Sequence, residues 1–178
     1  MSLVVGTYSS ESGMEWHVQW DGAASGTYNM AKDAYNLAQV VAGAAPILRL
    51  YTWDGWTLSV GRGQHVERQI DLAACGRLGV PLVRRPTGGR AVLHGEDLTY
   101  SLCARLDQPR FQGGIMAIYR EVAGALQDFL RGLGLAPQVV GFDHRERAEA
   151  SSPVCFATPS AYEILLGGKK IVGSAQRL

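Results

Sequence analysis

The chain has 178 residues, of which 47% are apolar and 19% are charged, and its formal net charge is +1. A chain of this size and composition can bury one substantial core, so we expect a single domain. The balanced charge gives no indication of a nucleic acid partner, no apolar run approaches the roughly 20 residues that span a bilayer, and no leader pattern opens the chain, so we expect a cytoplasmic protein without a nucleic acid or membrane partner.

The N-terminal part of the chain predicts a loose terminus followed by a helix. Residues 1–13 are rich in Ser and Gly and have little periodicity, which is typical of an unstructured end. Apolar residues then recur at helical spacing over residues 30–41, after the candidate N-caps Thr27 and Asn29. Gly43 ends this pattern. We therefore expect an amphipathic helix here.

The next part predicts a β-hairpin and a short helix. Residues 47–53 and 56–60 have strand character and flank Asp54-Gly55, a dipeptide typical of two-residue hairpin turns. Residues 70–78 have a short helical pattern that ends at Gly79. We therefore expect a hairpin between the two helices.

The second half predicts a long helix, a polar loop and a second hairpin. Apolar residues mark one helical face over residues 115–133, and the polar stretch 141–153 has no apolar periodicity. Residues 162–166 and 169–174 flank Gly167-Gly168, a two-residue hairpin connection. Hairpins interspersed with helices predict an α+β fold with a mixed, largely antiparallel sheet flanked by helices.

Residues 84–95 form the stretch of the sequence that most resembles a binding site. They contain two adjacent arginines, a threonine, paired glycines and a histidine between two strand-like segments, residues 80–83 and 98–102. Gly88 and Gly89 let the backbone approach a bound group closely, because neither has a Cβ atom. The alternative is a tight turn with surface arginines, since turns are where glycine is most common.

His94 and a short glycine motif each allow more than one interpretation. His94 can act as a general base or orient a substrate, and it can equally be a structural hydrogen-bonding residue. Together with Cys155 it is compatible with a cysteine hydrolase, although no protease signature is present. Gly61-Arg62-Gly63 is too short and wrongly placed for a dinucleotide-binding motif, and residues 84–95 lack the ending of a P-loop.

The chain has three cysteines, Cys75, Cys103 and Cys155, with no CxxC pair. This number and spacing predict neither a disulfide framework nor a metal site. Cys155 lies between the polar loop and a strand, where its thiol can face a cleft. The alternative is a small buried apolar residue, which is common for a free cysteine.

Lys170 affects how Cys155 is interpreted. If Gly167-Gly168 is a two-residue turn, Lys170 lies opposite Leu165 and on the same face as Glu163. A cationic lysine beside Cys155 would lower the pKa of the thiol and favour a reactive thiolate. The alternative is an exposed cross-strand partner of Glu163, and the spacing does not decide between the two.

Three ordered motifs, over residues 84–94, 97–101 and 168–175, resemble those of the catalytic domain shared by lipoate-protein and biotin-protein ligases. The resemblance implies the fold of that domain over residues 14–178, with C-terminal family elements lacking here. Within this superfamily, Cys155 followed by Lys170 is similar to the cysteine-dependent octanoyltransferases.

The resemblance also implies roles for individual residues. Cys155 would be the nucleophile that forms an acyl thioester, and Lys170 would lower its pKa and help to position the acyl carbonyl. The expected acyl pocket is lined by Arg85, Thr87, Gly88, Gly89 and His94.

The implied reaction moves an octanoyl group from octanoyl-acyl carrier protein to a lysine of a lipoyl-acceptor protein, such as the glycine-cleavage H protein. It needs no cofactor, because the acyl group is already activated. A second hypothesis is a lipoate-protein ligase that uses ATP and Mg, with Lys170 against an acyl-adenylate, although Arg90 stands where such ligases commonly have a third glycine. A third is a non-catalytic module that binds lipoate or octanoate.

Overall fold

The structure, a computed structural model, describes residues 3–9, 15–140 and 162–178. The chain divides into two compact units, residues 1–105 and 106–178, and each is described by itself. The polar loop predicted over residues 141–153 lies outside the described residues. The assignment of one domain over residues 14–178 stays a prediction.

The first unit alternates short strands and helices. In chain order its described elements are β1 (Leu3–Ser9), β2 (Glu15–Ala24), α1 (Gly26–Val41), β3 (Ile47–Trp53), β4 (Thr57–Val60), α2 (Val66–Gln69), α3 (Leu72–Arg77), β5 (Leu82–Arg84), β6 (Val92–His94) and β7 (Thr99–Cys103).

These strands form two mixed sheets, which confirms the predicted α+β class. The larger sheet has the order β1-β2-β3-β7, with β2 parallel to β3 and the other neighbours antiparallel. The smaller sheet has the order β5-β4-β6, with β4 parallel to β5 and antiparallel to β6. Helices in the connections make the parallel pairs possible.

The hairpin predicted around Asp54-Gly55 is wrong. Both strands exist, but β3 and β4 belong to different sheets. The Asp54 N–H donates to the Ala24 carbonyl at the end of β2, 2.9 Å away. This bond extends the pairing between β3 and β2, and β4 instead pairs between β5 and β6.

The N-terminal residues also differ from the expectation of a loose terminus over residues 1–13. Leu3–Ser9 form β1, which pairs antiparallel with β2 from Leu3 opposite Trp20 to Ser9 opposite Glu15. The composition of residues 1–13 did not indicate this strand, because the strand is ordered by backbone hydrogen bonds to β2, which lies outside that segment.

Helix α1 is present as predicted, but its cap and its buried face differ from the expectation. Its N-cap is Ser25, whose Oγ accepts from the Tyr28 N–H at 3.3 Å; the predicted N-caps, residues 27 and 29, lie inside the helix. The buried side chains on the helix include Asn29, Asp33 and Asn36. The predicted apolar residue Val41 is 72% exposed. The helix therefore packs through a largely polar face.

Arg49 on β3 explains that polar face. Its side chain is fully buried, and it donates from Nε to Asp21, from Nη1 to Asp33 at 2.8 Å and from Nη2 to Asn29 at 2.8 Å. The Tyr51 hydroxyl donates to Asp33 at 2.9 Å. Burial raises the pKa of Asp33, against the opposing effect of Arg49 and Tyr51. Charged hydrogen bonds therefore attach α1 to the sheet.

The second unit contains one long helix and a small antiparallel sheet. Its described elements are a 3-10 helix (Pro109–Phe111), α4 (Gly114–Gly132), β8 (Gln138–Val139), β9 (Ile164–Leu166) and β10 (Lys169–Val172).

The long helix and the second hairpin are confirmed. Strands β9 and β10 pair around Gly167 and Gly168, both of which have positive φ, and Lys170 lies opposite Leu165 as the turn predicted. The sequence did not indicate β8, which pairs with β9. None of the helices in the described residues is long and apolar enough to cross a membrane.

Replacing Arg49 tests the charged contacts beneath α1. We expect Arg49→Met to lower the free energy of unfolding by about 3–5 kcal/mol, because it leaves the buried Asp21 and Asp33 carboxylates without their cation. Urea unfolding followed by circular dichroism measures the change. The control is Arg131→Met, which removes an exposed pair with Asp128 and should cost less than about 1 kcal/mol. Equal losses in both variants would contradict this interpretation.

Candidate functional site

Strand β4 pairs with β5 and β6, the two strands that flank the candidate binding loop in the first unit. Thr57 and Ser59 on this strand are each 1% exposed. His94 lies opposite Thr57 at the end of β6, and the Arg85 N–H donates to the Val60 carbonyl at 3.0 Å. Because alternate residues of a strand share a face, Ser59 and His94 lie on the same side of this sheet. The fold therefore brings the two flanks of the loop onto one strand.

Arg85 connects β4 with the loop that follows β5. Its Nη1 donates to the Ser59 carbonyl at 3.2 Å and to the Ser59 Oγ at 3.1 Å. Its Nη2 donates to the carbonyls of Gly88 at 2.8 Å and Arg90 at 2.6 Å. A guanidinium has five N–H donors in a fixed planar arrangement, so it can hold several acceptors at once. Arg85 is thus not a free surface arginine; it shapes the loop.

Arg84 holds a second loop, which follows β4. Its Nη1 donates to the carbonyls of Gly61, Arg62 and Gln64 at 2.8, 3.0 and 3.1 Å. The Arg62 N–H in turn donates to the carbonyl of Thr87 at 2.9 Å. Hydrogen bonds therefore join the loop after β4 to the predicted binding loop.

Gly61 permits the close contact between these two loops. A Cβ atom at this position would lie 2.0 Å from the Gly89 carbonyl oxygen. In the sequence Gly61 stands out only within Gly61-Arg62-Gly63, which does not fit a dinucleotide-binding motif, and this structural role was not predicted. The signal available was a glycine directly after a strand, which often marks a close backbone approach.

The paired glycines of the predicted site differ in their requirements. Gly89 has a φ of 87°, a backbone conformation that residues other than glycine rarely adopt. A Cβ atom at Gly88 would meet nothing within 4 Å. The backbone conformation therefore requires glycine at position 89, while the absence of a side chain at Gly88 leaves open space beside the loop.

His94 is held on three sides. It is 9% exposed, its Nε2 lies 2.8 Å from the Ser59 Oγ, and its Nδ1 lies 2.8 Å from an Asp97 carboxylate oxygen. Its ring stacks on Trp53 with 3.9 Å between centroids. Both ring nitrogens are hydrogen-bonded within the protein, so His94 does have structural hydrogen bonds, and an acid-base role for it stays a prediction.

Asp97 anchors His94 and was not among the predicted site residues. Burial would raise the pKa of Asp97, but hydrogen bonds from His94, the Gly95 N–H and Thr99 lower it to about 2. Trp53, whose ring stacks on the His94 imidazole, donates from Nε1 to the Thr99 Oγ1 at 2.8 Å. Thr99 in turn donates to Asp97. The carboxylate is anionic at neutral pH.

Lys170 forms a buried ion pair in the second unit. Its Nζ lies 2.5 Å from a Glu163 carboxylate oxygen, and the two side chains are 4% and 6% exposed. The predicted alternative of an exposed cross-strand pair with Glu163 has the correct partner, but the pair is buried. A buried cation requires such a counter-charge. Cys155 lies outside the described residues.

The backbone conformation before β9 positions Glu163. Tyr162 has φ of 63°, which is uncommon for residues with a side chain and is often found at functional sites. Its N–H donates to the Val140 carbonyl at 3.0 Å, and the Val140 N–H donates to the Glu163 carbonyl at 2.8 Å. Two backbone bonds therefore hold this turn on either side of Tyr162.

Comparisons with known proteins agree with the resemblance in the motifs. Residues 25–178 match the lipoyl protein ligase A/B catalytic domain, and the chain belongs to this family. It is 43% identical over 162 residues to octanoyltransferase LipM of Moorella thermoacetica, covering 90% of this chain and 59% of that protein. The chain thus spans about three fifths of the length of the curated relatives it matches.

Solved structures show the same fold. A crystal structure of lipoate-protein ligase A bound with ATP is 28% identical, with a TM-score of 0.68 over 88% of this chain and 59% of that chain. A bi-partite lipoate protein ligase from Thermoplasma acidophilum, analysed with its E2 lipoyl domain, is 31% identical, with a TM-score of 0.59 over 70% of this chain and 48% of that chain.

Substitution of Gly61 tests the contact between the two loops. We expect Gly61→Ala to lower the free energy of unfolding by about 1–3 kcal/mol, because the added methyl group would overlap the Gly89 carbonyl and force the backbone apart. Thermal and urea unfolding measure the loss. Gly63→Ala is the matched control, since its Cβ would meet nothing within 4 Å. Equal stability of the two variants would show that the loops are not in contact as described.

Proposed function

We propose that this chain carries the catalytic domain of an octanoyltransferase that acts in protein lipoylation. The observation that carries the proposal is the 43% identity to octanoyltransferase LipM over 90% of this chain. The donor is octanoyl-acyl carrier protein, and the acceptor is a lysine of a lipoyl-acceptor protein such as the glycine-cleavage H protein. The E2 lipoyl domain analysed with a related ligase supports this class of acceptor.

The proposed transfer takes place in two steps. The Cys155 thiolate attacks the carbonyl carbon of the donor thioester, the bond to the carrier sulfur breaks, and the carrier leaves as a thiolate that takes a proton from solvent. The acceptor lysine then attacks the Cys155 thioester as a neutral amine, an amide bond forms, the nitrogen loses a proton to solvent and the Cys155 thiolate is released. Covalent catalysis separates the two steps, so the two protein partners need not bind together. The acyl group is already activated, so the transfer needs no ATP.

Lys170 supplies positive charge in this proposal. A cation beside Cys155 lowers the pKa of the thiol, and its N–H groups stabilise the negative charge that develops on the acyl carbonyl oxygen. The Glu163 carboxylate 2.5 Å from the Lys170 Nζ supplies the counter-charge that a buried cation requires.

The loop after β5 binds the acyl group in this proposal, with Arg85, Thr87, Gly88, Gly89 and His94 as its lining residues. Two properties of the loop support this. The space beside Gly88 is open to a Cβ atom, and Arg85 already holds the Gly88 and Arg90 carbonyls. A loop fixed before the ligand arrives has less conformational entropy to lose on binding.

Intact-protein mass spectrometry tests the thioester step. After incubation with octanoyl-acyl carrier protein without ATP, we expect one octanoyl adduct that hydroxylamine removes, because hydroxylamine cleaves thioesters. Cys155→Ala should form no adduct. Cys75→Ala, which removes a partly exposed free cysteine in the other unit, is the control and should be acylated as the unchanged chain is.

The same variants, assayed with ATP and a lipoyl-acceptor protein, distinguish the ligase hypothesis, which the similarity to an ATP-bound ligase supports. Modification of the acceptor by Cys155→Ala that requires ATP, together with ATP-pyrophosphate exchange dependent on lipoate or octanoate, would replace the transferase proposal. Binding of octanoate with neither reaction would indicate a non-catalytic module.

Replacement of Lys170 tests its electrostatic role. We expect Lys170→Gln to reduce octanoyl transfer on the order of 10²–10³-fold, the effect typical of removing one donor that stabilises an oxyanion. Lys169→Gln changes the neighbouring exposed lysine and should leave the rate unchanged. Single-turnover formation of the adduct measures both variants. Equal rates for Lys170→Gln and the unchanged chain would remove Lys170 from the mechanism.

A further inference from the structure

The hydrogen bonds around His94 have a fixed direction. The Asp97 carboxylate is ionised at neutral pH and can only accept, so His94 Nδ1, 2.8 Å away, must carry a hydrogen and donate it. At the other end, Arg85 Nη1 can only donate, and it does so to the Ser59 Oγ at 3.1 Å.

These two ends determine the bond in the middle. The hydroxyl group of Ser59 has one hydrogen, and the His94 Nε2 lies 2.8 Å from its oxygen. If Ser59 donates this hydrogen to Nε2, all the hydrogen-bonding atoms along the row are satisfied. If Nε2 instead carried a hydrogen, the Ser59 hydroxyl hydrogen would lose its acceptor, which is costly for a group that is 1% exposed.

We propose that Asp97 and Ser59 are positioning residues of the acyl-binding loop and that they act through His94. The inference rests on the proposed function for its effect on catalysis. Asp97 selects the tautomer of His94 with hydrogen on Nδ1, and this imidazole orients the Ser59 hydroxyl. Neither positioning residue needs to touch the acyl group.

Arg85 transmits this arrangement to the loop. With its hydrogen directed at His94, Ser59 presents a lone pair to the Arg85 Nη1, and the same guanidinium donates to the carbonyls of Gly88 and Arg90. Loss or reorientation of the Ser59 hydroxyl therefore weakens the hydrogen bond that holds the Arg85 guanidinium in place. Such supporting partners commonly affect binding or activity by about 10–100-fold at metal sites, where outer-shell hydrogen bonds play the same part.

The row of hydrogen bonds is first tested without any substrate. We expect the ¹⁵N spectrum of the labelled full chain at neutral pH to show His94 with hydrogen on Nδ1 and an unprotonated Nε2. Asp97→Asn removes the charge at nearly the same shape and should reduce the population of this tautomer. A spectrum of the unsubstituted chain that shows the His94 hydrogen on Nε2 would overturn the proposal, whatever the activity of the chain.

The effect on the loop is tested with a pair of Ser59 variants. Ser59→Ala should speed hydrogen exchange of the backbone amides in residues 85–91 and raise the KM for octanoyl-acyl carrier protein about tenfold, with a smaller change in kcat, as expected for the loss of one charge-assisted hydrogen bond. Ser59→Thr keeps the hydroxyl and should recover both properties. Unchanged amide exchange in Ser59→Ala would overturn the proposal.

A control separates positioning from general loss of stability. Asp71 accepts from the Ala74 N–H at the start of α3, outside this row of hydrogen bonds, so Asp71→Ala should leave the loop exchange, the His94 tautomer and the KM unchanged. The same changes in Asp71→Ala as in Ser59→Ala would overturn the proposal. A chain with no octanoyl transfer contradicts the proposed function alone, because the tautomer and the amide exchange are measured without transfer.

Discussion

The burial of one cation, Arg49, determines how the first unit is built. Its side chain is fully buried on β3, and a buried guanidinium is tolerated only where acceptors surround it. Asp33 on α1 and Asp21 on β2 supply carboxylates, so the helix must cross the sheet where these groups converge. This fixes the polar face of α1. It also fixes the face of β3 that carries Tyr51 and Trp53, whose rings lie 5.8 Å apart, and Trp53 stacks on His94. The core and the candidate binding loop are therefore connected through one strand.

The adjacent arginines of the loop have separate tasks that their sequence position does not show. In sequence they belong to a stretch that predicts either a binding loop or a turn with surface arginines, yet Arg84 donates to carbonyls of the loop after β4 and Arg85 donates to carbonyls of the loop after β5. Backbone carbonyls carry partial negative charge, so a guanidinium can fix a loop without an acidic side chain. The positive charge in this stretch organises the backbone, and the contact at Gly61 keeps the two loops together. In the proposed function, a loop organised in this way would present a defined surface to an apolar acyl chain, which offers few polar groups of its own.

The sequence predicted those elements whose signals are local. The turn at Gly167-Gly168 fixes the register of its two strands, and long periodicity identified α4. The turn at Asp54-Gly55 carries an equally good local signal, but strand pairing depends on which third strand is available, and β2 pairs with β3 instead. The polar face of α1 could not be predicted, because nothing in the helix sequence shows that Arg49, 16 residues after Asp33, is buried against it. The dense stretch around His94 was identified, whereas Ser59 and Asp97 were missed. Ser59 lies 35 residues from His94, and an aspartate three residues after a histidine is ordinary until the fold joins the two side chains.

The buried cations of the two units differ in a way that bears on the proposed chemistry. Arg49 is surrounded by carboxylate and amide oxygens, and its rigid planar group suits a fixed structural role. Lys170 is a compact cation paired with Glu163, and its flexible stem can reorient its N–H groups. An ion pair is neutral overall, so its field falls quickly with distance, and in the proposed mechanism the lysine would stabilise a developing oxyanion chiefly by direct contact. The proposed transfer through a thioester would meet this requirement, because a covalent bond to Cys155 would keep the acyl carbonyl close to Lys170 while one protein partner leaves and the other binds.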